Sequence, residues 1–126
     1  MELQKLNALS EKIIGLAIEI HRTLGPGLLE SVYEQCLAYE FRSHNIEFTL
    51  EPPVPVIYKG ISIDCGFRPD FIVGNSMIVE LKSVEKNLPV HEAQLLTYLK
   101  ISGLRLGLLI NFNSKLLKDG ITRIIV

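Results

Sequence analysis

Residues 104–112, Leu-Arg-Leu-Gly-Leu-Leu-Ile-Asn-Phe, are apolar at nearly every position. A strand with one wet face alternates polar and apolar side chains. A run apolar on both faces reads instead as a buried central strand, of the kind found inside α/β sheets. The chain must then supply helices, and three patterns qualify. Leu6, Leu9, Ile13, Leu16, Ala17, Ile20 and Leu24 recur at steps of three and four, which is one helix face. Gly25-Pro26-Gly27 interrupts it, because proline lacks a donor and glycine permits the turn. Leu29, Val32, Tyr33, Cys36, Leu37, Glu40 and Phe41 make a second helical face, ending near Ser43-His44-Asn45. A third helix opens at Leu88-Pro89 and runs to about Ile101.

Between the second and third helices the chain reads as strands. Ile46, Phe48 and Leu50 alternate with polar residues, the period of a half-buried strand. Pro52-Pro53-Val54-Pro55 suits an edge or a connection. Strands are expected over residues 56–59, 61–73 and 77–82, with turns at Lys59-Gly60 and Gly74-Asn75-Ser76, and a last strand over 121–126. The order is two helices, a three-strand meander, a helix and then one or two strands. This predicts an α/β fold with a mixed sheet flanked by helices, in a single domain over residues 1–126.

At 48% hydrophobic and 21% charged residues the composition is globular. No apolar run approaches the ~18 residues of a membrane span. Met1-Glu2-Leu3-Gln4-Lys5 lacks the basic-then-apolar pattern of a secretory signal. Cys36 and Cys65 are too few and too distant for a CxxC metal site, so both are expected to be free thiols in a reducing cytoplasm. A net charge of −1 argues against coating nucleic acid by bulk electrostatics. The charge is uneven, however: residues 1–81 carry 6 Lys/Arg against 11 Asp/Glu, and residues 82–126 carry 7 against 3.

Chemistry concentrates at Arg68-Pro69-Asp70 and Glu80-Leu81-Lys82. If Gly74-Asn75-Ser76 is a three-residue loop, Val73 faces Met77 and Asp70 faces Glu80 across a hairpin. Opposed residues project to one face with Cβ atoms about 4.5–5.5 Å apart, close enough for two carboxylates to share a Mg²⁺ ion. A loop one residue shorter or longer would put them on opposite faces. Lys82 returns to the face of Glu80 by strand alternation, where an ammonium would stabilise charge on a phosphate. A surface hairpin carrying a cross-strand ion pair would use the same residues.

Taken with the rest of the chain, Pro69-Asp70 and Glu80-Leu81-Lys82 resemble the PD-(D/E)XK nuclease superfamily. More narrowly, Gly27-Leu28-Leu29-Glu30-Ser31-Val32-Tyr33 resembles the signature of the GxxExxY family within it. The similarity runs from the helix around Ile13 to Arg22, through Leu24-Gly25-Pro26-Gly27, to Val90-His91-Glu92-Ala93-Gln94 and Leu109-Ile110-Asn111-Phe112. It implies a restriction-endonuclease-like core, with Glu30 joining Asp70 and Glu80 as an acidic, metal-binding residue. Glu30 and Glu34 lie one helical turn apart, so that helix has an acidic face. Tyr33 is expected to pack. Gln94-Leu95-Leu96-Thr97-Tyr98 matches the Q-x-x-x-Y pattern that borders the active site in some branches. On an ideal helix His91, Gln94 and Tyr98 fall within roughly a 60° sector, so all three are candidates for positioning substrate. His21 is expected to be structural.

The resemblance implies a nuclease using Mg²⁺, with Mn²⁺ as a substitute, on nucleic acid, with DNA placed ahead of RNA. Catalysis would fall to Asp70, Glu80, Lys82 and Glu30. A small neutral domain makes few phosphate contacts, so binding should be weak and salt-sensitive unless the chain dimerises or joins a larger complex. A non-enzymatic accessory protein on the same scaffold is the alternative, because fold does not fix function. A small-molecule phosphatase reading lacks any phosphate-binding glycine loop.

Overall fold

The computed structural model describes residues 1–126. Two helices open the chain, α1 (Leu3–Leu24) and α2 (Glu30–Ser43), followed by five strands: β1 (Phe48–Leu50), β2 (Val56–Tyr58), β3 (Ile61–Ile63), β4 (Phe71–Val73) and β5 (Met77–Lys82). Helix α3 (Pro89–Ser102) leads to β6 (Leu106–Asn111), and a 3₁₀ turn at Leu117–Gly120 precedes β7 (Ile121–Ile125). The main sheet has the order β1-β4-β5-β6-β7. Only β5 and β6 run parallel, with Met77 opposite Leu106 and Lys82 opposite Asn111.

Every residue of β6 is buried, as its apolar sequence requires. Alternation divides the neighbouring strand between two layers. Met77, Val79 and Leu81 point into the larger core beneath α1 and α2, which includes Leu6, Ile13, Leu37 and Phe41. Ile78 joins Leu95, Leu99 and Leu109 in a smaller core beneath α3. Helix α3 comes so close to β6 that a Cβ at Gly107 would lie 3.0 Å from the Leu95 side chain, which would have to give way by a few tenths of an ångström. Phe41, Phe48 and Phe71 meet edge-to-face or tilted with ring centroids 5.1–5.6 Å apart, which ties β1 and β4 to α2.

The strand at 61–73 does not form as one piece. It ends at Ile63, and residues 64–70 are irregular, with Gly66 at φ +73°. Pro69 removes a donor from the ladder. The hairpin of β2 and β3 therefore leaves the main sheet, and the place beside β4 goes to β1, with Phe48 opposite Val73. The Gly74-Asn75-Ser76 loop is as expected: Val73 pairs with Met77 and Phe71 with Val79.

Tyr33 packs, and does more. Its ring is fully buried and stacks on Phe112 with centroids 4.3 Å apart. Its hydroxyl donates to Gly25 O at 2.6 Å and accepts from Leu28 N at 3.2 Å, locking the turn between α1 and α2. Gly25 and Gly27 adopt φ values of +75° and +96° there, a region that favours glycine. His21 is structural in the same sense, its Nε2 lying 2.8 Å from Ser114 O.

Tyr33→Phe keeps the stack but leaves Gly25 O and Leu28 N without their partner, so it should destabilise the protein by about 1–3 kcal/mol. Urea unfolding of the two proteins measures the difference; a loss below ~0.5 kcal/mol would show that the turn does not rely on the hydroxyl.

Candidate active site

Asp70 sits one residue before β4, where the β4–β5 ladder stops, directly across from Glu80. The two side chains replace the missing ladder bonds. Asp70 N donates to Glu80 Oε1 at 2.8 Å, and Leu81 N donates to Asp70 Oδ2 at 2.8 Å. Each carboxylate is thus held by main chain from the opposite strand through one of its two oxygens. Asp70 O in turn accepts from Glu51 N at 3.0 Å, which fixes the pair against the end of β1.

This arrangement is electrostatically costly. Glu80 is pushed up to about 7, first by burial and then by the charge of Asp70, against the lowering effects of the Asp70 amide and of Lys82. A third carboxyl arrives from the other helical layer. Glu34 on α2 hydrogen-bonds to Asp70 and is pushed up to about 8 by desolvation, by that bond, and by the charges of Asp70, Glu51 and Glu80. Two carboxylates can share a hydrogen bond only if one holds a proton.

Glu30 occupies a different position from the one expected. It is exposed in the first turn of α2, and its charge is the smallest of the named influences on Glu80. No three His, Cys, Asp or Glu side chains form a metal-holding group, the expected trio of Glu30, Asp70 and Glu80 included. The acidic face of α2 was visible in the sequence, but only the packing of the helix chooses Glu34, one turn further on, as the residue that meets Asp70.

Glu80 and Lys82 open into a cleft of about 280 Å³ between the sheet and α3. His91, Gln94 and Tyr98 line the same cleft, as expected, and Leu95 and Leu109 form its floor. Asp70 and Glu30 do not line it. His91 Nδ1 accepts from Leu88 N at 3.1 Å, so neutral His91 carries its proton on Nε2. Residues 65–68, preceding the Pro69-Asp70 pair, complete the wall, where Gly66 and Phe67 carried no signal in the sequence.

The chain leaving Lys82 is clamped. Lys82 O accepts from Phe112 N at 2.9 Å, and the buried Asn111 side chain donates to Val84 O at 2.9 Å and accepts from Val84 N at 3.2 Å. Asn111 is polar yet almost fully buried in an otherwise apolar strand, and its position beside Lys82 is the reason.

The donor set around Asp70 is entirely oxygen, which suits a hard divalent cation such as Mg²⁺. The repulsion that raises Glu80 and Glu34 is what such a cation would relieve. With no side-chain trio available, remaining ligand positions would fall to water or substrate oxygens, as Mg²⁺ commonly tolerates.

A family model of the PD-(D/E)XK nuclease superfamily matches residues 7–124, so the chain belongs to that superfamily. Its mixed α/β sheet is the restriction-endonuclease-like fold expected of a member. An alkaline exonuclease (LHK-Exo) from Laribacter hongkongensis is similar over 70% of this chain and 51% of that one, at 17% identity and a TM-score of 0.48; this chain therefore spans about half of that structure. No curated protein matches it. Members of the superfamily generally use divalent metals.

Because the folded pKa values of Glu80 and Glu34 lie above the ordinary 4.5, the folded state holds protons that the unfolded state releases. Stability is then greatest near or below pH 4.5 as far as these groups are concerned, and is lost as pH rises through about 7 to 8. In chelator, the melting temperature should fall between pH 5 and pH 8. Glu80→Gln should flatten that fall, and Mg²⁺ should reverse part of it. A melting temperature that rises over this range would contradict the crowding.

Proposed function

We propose that this PD-(D/E)XK superfamily member is a Mg²⁺-dependent nuclease that hydrolyses phosphodiester bonds in DNA, and that it falls within the GxxExxY family. The observation that carries this reading is the opposed Asp70 and Glu80 carboxylates, each fixed by a main-chain amide of the other strand, with Lys82 on the same face as Glu80. Reciprocal bonding of this kind pre-organises two anions that would otherwise separate.

Asp70 and Glu80 hold the metal in this reading, Glu34 adds a carboxyl at Asp70, and Glu30 contributes only longer-range negative charge. A bound divalent cation supplies Lewis acidity and neutralises charge on the phosphate. Lys82 contributes its ammonium to the developing negative charge, and its strand and the Asn111 clamp keep it in place. Gln94 and the Nε2–H of His91 offer hydrogen-bond donors to phosphate oxygens. Tyr98 positions the strand. Mn²⁺ would substitute for Mg²⁺, since it too accepts oxygen ligands.

The unpaired thiols of Cys36 and Cys65 fit a cytoplasmic setting. With a net charge of −1 the chain makes few phosphate contacts by itself, so a homodimer or a larger complex would strengthen its hold on nucleic acid.

Labelled single- and double-stranded DNA and RNA should be incubated with the protein in Mg²⁺ or Mn²⁺. Metal-dependent cleavage is expected. Lys82→Ala should lower its rate on the order of 10²–10³-fold, and Glu80→Ala should remove it. If the folded, metal-binding protein cuts none of these polymers, the accessory-protein reading replaces this one.

A further inference from the structure

Three features of the cleft bear on what it holds. The first is an aromatic wall. Phe67 and Tyr98 stack almost parallel, with centroids 3.4 Å apart and planes 3° from one another, and both are half-buried and line the cleft. The chain around Phe67 is fixed rather than loose: Phe67 O accepts from Val54 N at 3.0 Å, and Gly66 N donates to Asp64 Oδ1 at 2.9 Å.

The second is Arg68. It is exposed, lines the cleft with Lys82, and forms no ion pair, although Asp70 lies only two residues away. The one contact at salt-bridge distance joins His44 Nδ1 and Glu40 at 3.6 Å, and neither residue lines the cleft. Pro69 restricts Arg68 to extended geometry, and Arg68 is exposed beside the buried Pro69. Arg68 and Lys82 therefore stand at one cleft, neither within salt-bridge distance of a carboxylate, with Lys82 acting on Glu80 only through its charge. The third feature is size. At about 280 Å³ the cleft lies near the lower limit for a small-ligand site, the scale of a single nucleotide.

Building on the nuclease reading, we infer that this cleft takes one unpaired nucleotide, its base stacked on the Phe67–Tyr98 wall and its phosphate held between Arg68 and Lys82. A duplex keeps its bases inside the stack, where no aromatic wall can reach them. A single strand offers a π face at each base, and stacking supplies affinity where cations are few. Gln94, on the same helix as Tyr98, is placed to donate to the nucleotide's oxygens. Arg68 and Phe67 thereby become positioning residues, and the substrate class becomes single-stranded nucleic acid, including frayed or overhanging ends. The base and phosphate chemistry is common to DNA and RNA.

The test uses the full chain carrying Glu80→Gln, so that binding is read without cleavage. Oligomers of about 15 nucleotides, as single-stranded DNA, single-stranded RNA and a blunt hairpin duplex, carry 2-aminopurine at successive positions. The expected result is quenching at one position of a single strand, with single strands bound at least on the order of tenfold more tightly than the duplex. Tyr98→Leu should abolish the quenching, and Tyr98→Phe should retain it. Arg68→Gln should weaken binding and reduce its salt dependence by roughly one ion. The DNA and RNA arms show which polymer is preferred.

Equal affinity for the duplex, unquenched 2-aminopurine, or Tyr98→Phe behaving as Tyr98→Leu would overturn the inference. Cleavage of DNA without stacking would leave the nuclease reading standing and this one fallen. Stacking without cleavage by the unmodified chain would do the reverse.

Discussion

The parallel pairing of β5 with β6 is the constraint on which the rest of the molecule depends. Two parallel neighbours cannot be joined by a tight turn and need a crossover, which here is α3. That crossover must pack back on the sheet. It does so against Ile78 and Leu109, with Gly107 cut back to let Leu95 approach. The odd-numbered residues of β5 go to the α1–α2 core. Glu80 and Lys82 are left facing α3, and His91, Gln94 and Tyr98 meet them because the crossover can lie nowhere else. The cleft is thus a product of strand parity and chain connection.

Within that frame the acidic corner is held by geometry against its own repulsion. The amides of Asp70 and Leu81 bind the carboxylates that crowd one another, so charge that would push the strands apart is fastened to both of them. Burial and mutual proximity raise Glu80 and Glu34, and the conflict stays unresolved within the protein's own side chains. Such local conflict between stability and arrangement is characteristic of functional sites.

Much of the fold was legible because its signals are periodic. The apolar run at 104–112 declared a central strand, steps of three and four declared the helices, and the loop Gly74-Asn75-Ser76 fixed the hairpin register. The misread strand over 61–73 shows the limit of such signals. Apolar alternation at Ile57, Ile61 and Ile63 looks the same whether the partner is the main sheet or a hairpin standing off it, and these residues are in fact exposed. The acidic residues illustrate the same limit on helices. Glu30 and Glu34 share a face, and which of them meets Asp70 depends on how α2 sits over the sheet end. The Phe67–Tyr98 stack joins an irregular loop to a helix 31 residues later, and no local pattern could announce it.

The bonds around Lys82 bear on when the chain can acquire this arrangement. Ser83 Oγ donates to Leu28 O across 55 residues, and Asn111 holds Val84 across 27. Contacts so distant along the chain close late, after the entropy of the intervening loops has been spent. During N-to-C synthesis, α1, α2 and the β4–β5 hairpin can emerge and partly order while the segment after Lys82 still lacks its clamp. The acidic corner and the lysine cannot be fixed together until β6 has left the ribosome. The geometry therefore ties completion of the site to synthesis of β6, and fragments that stop before it lack the clamp.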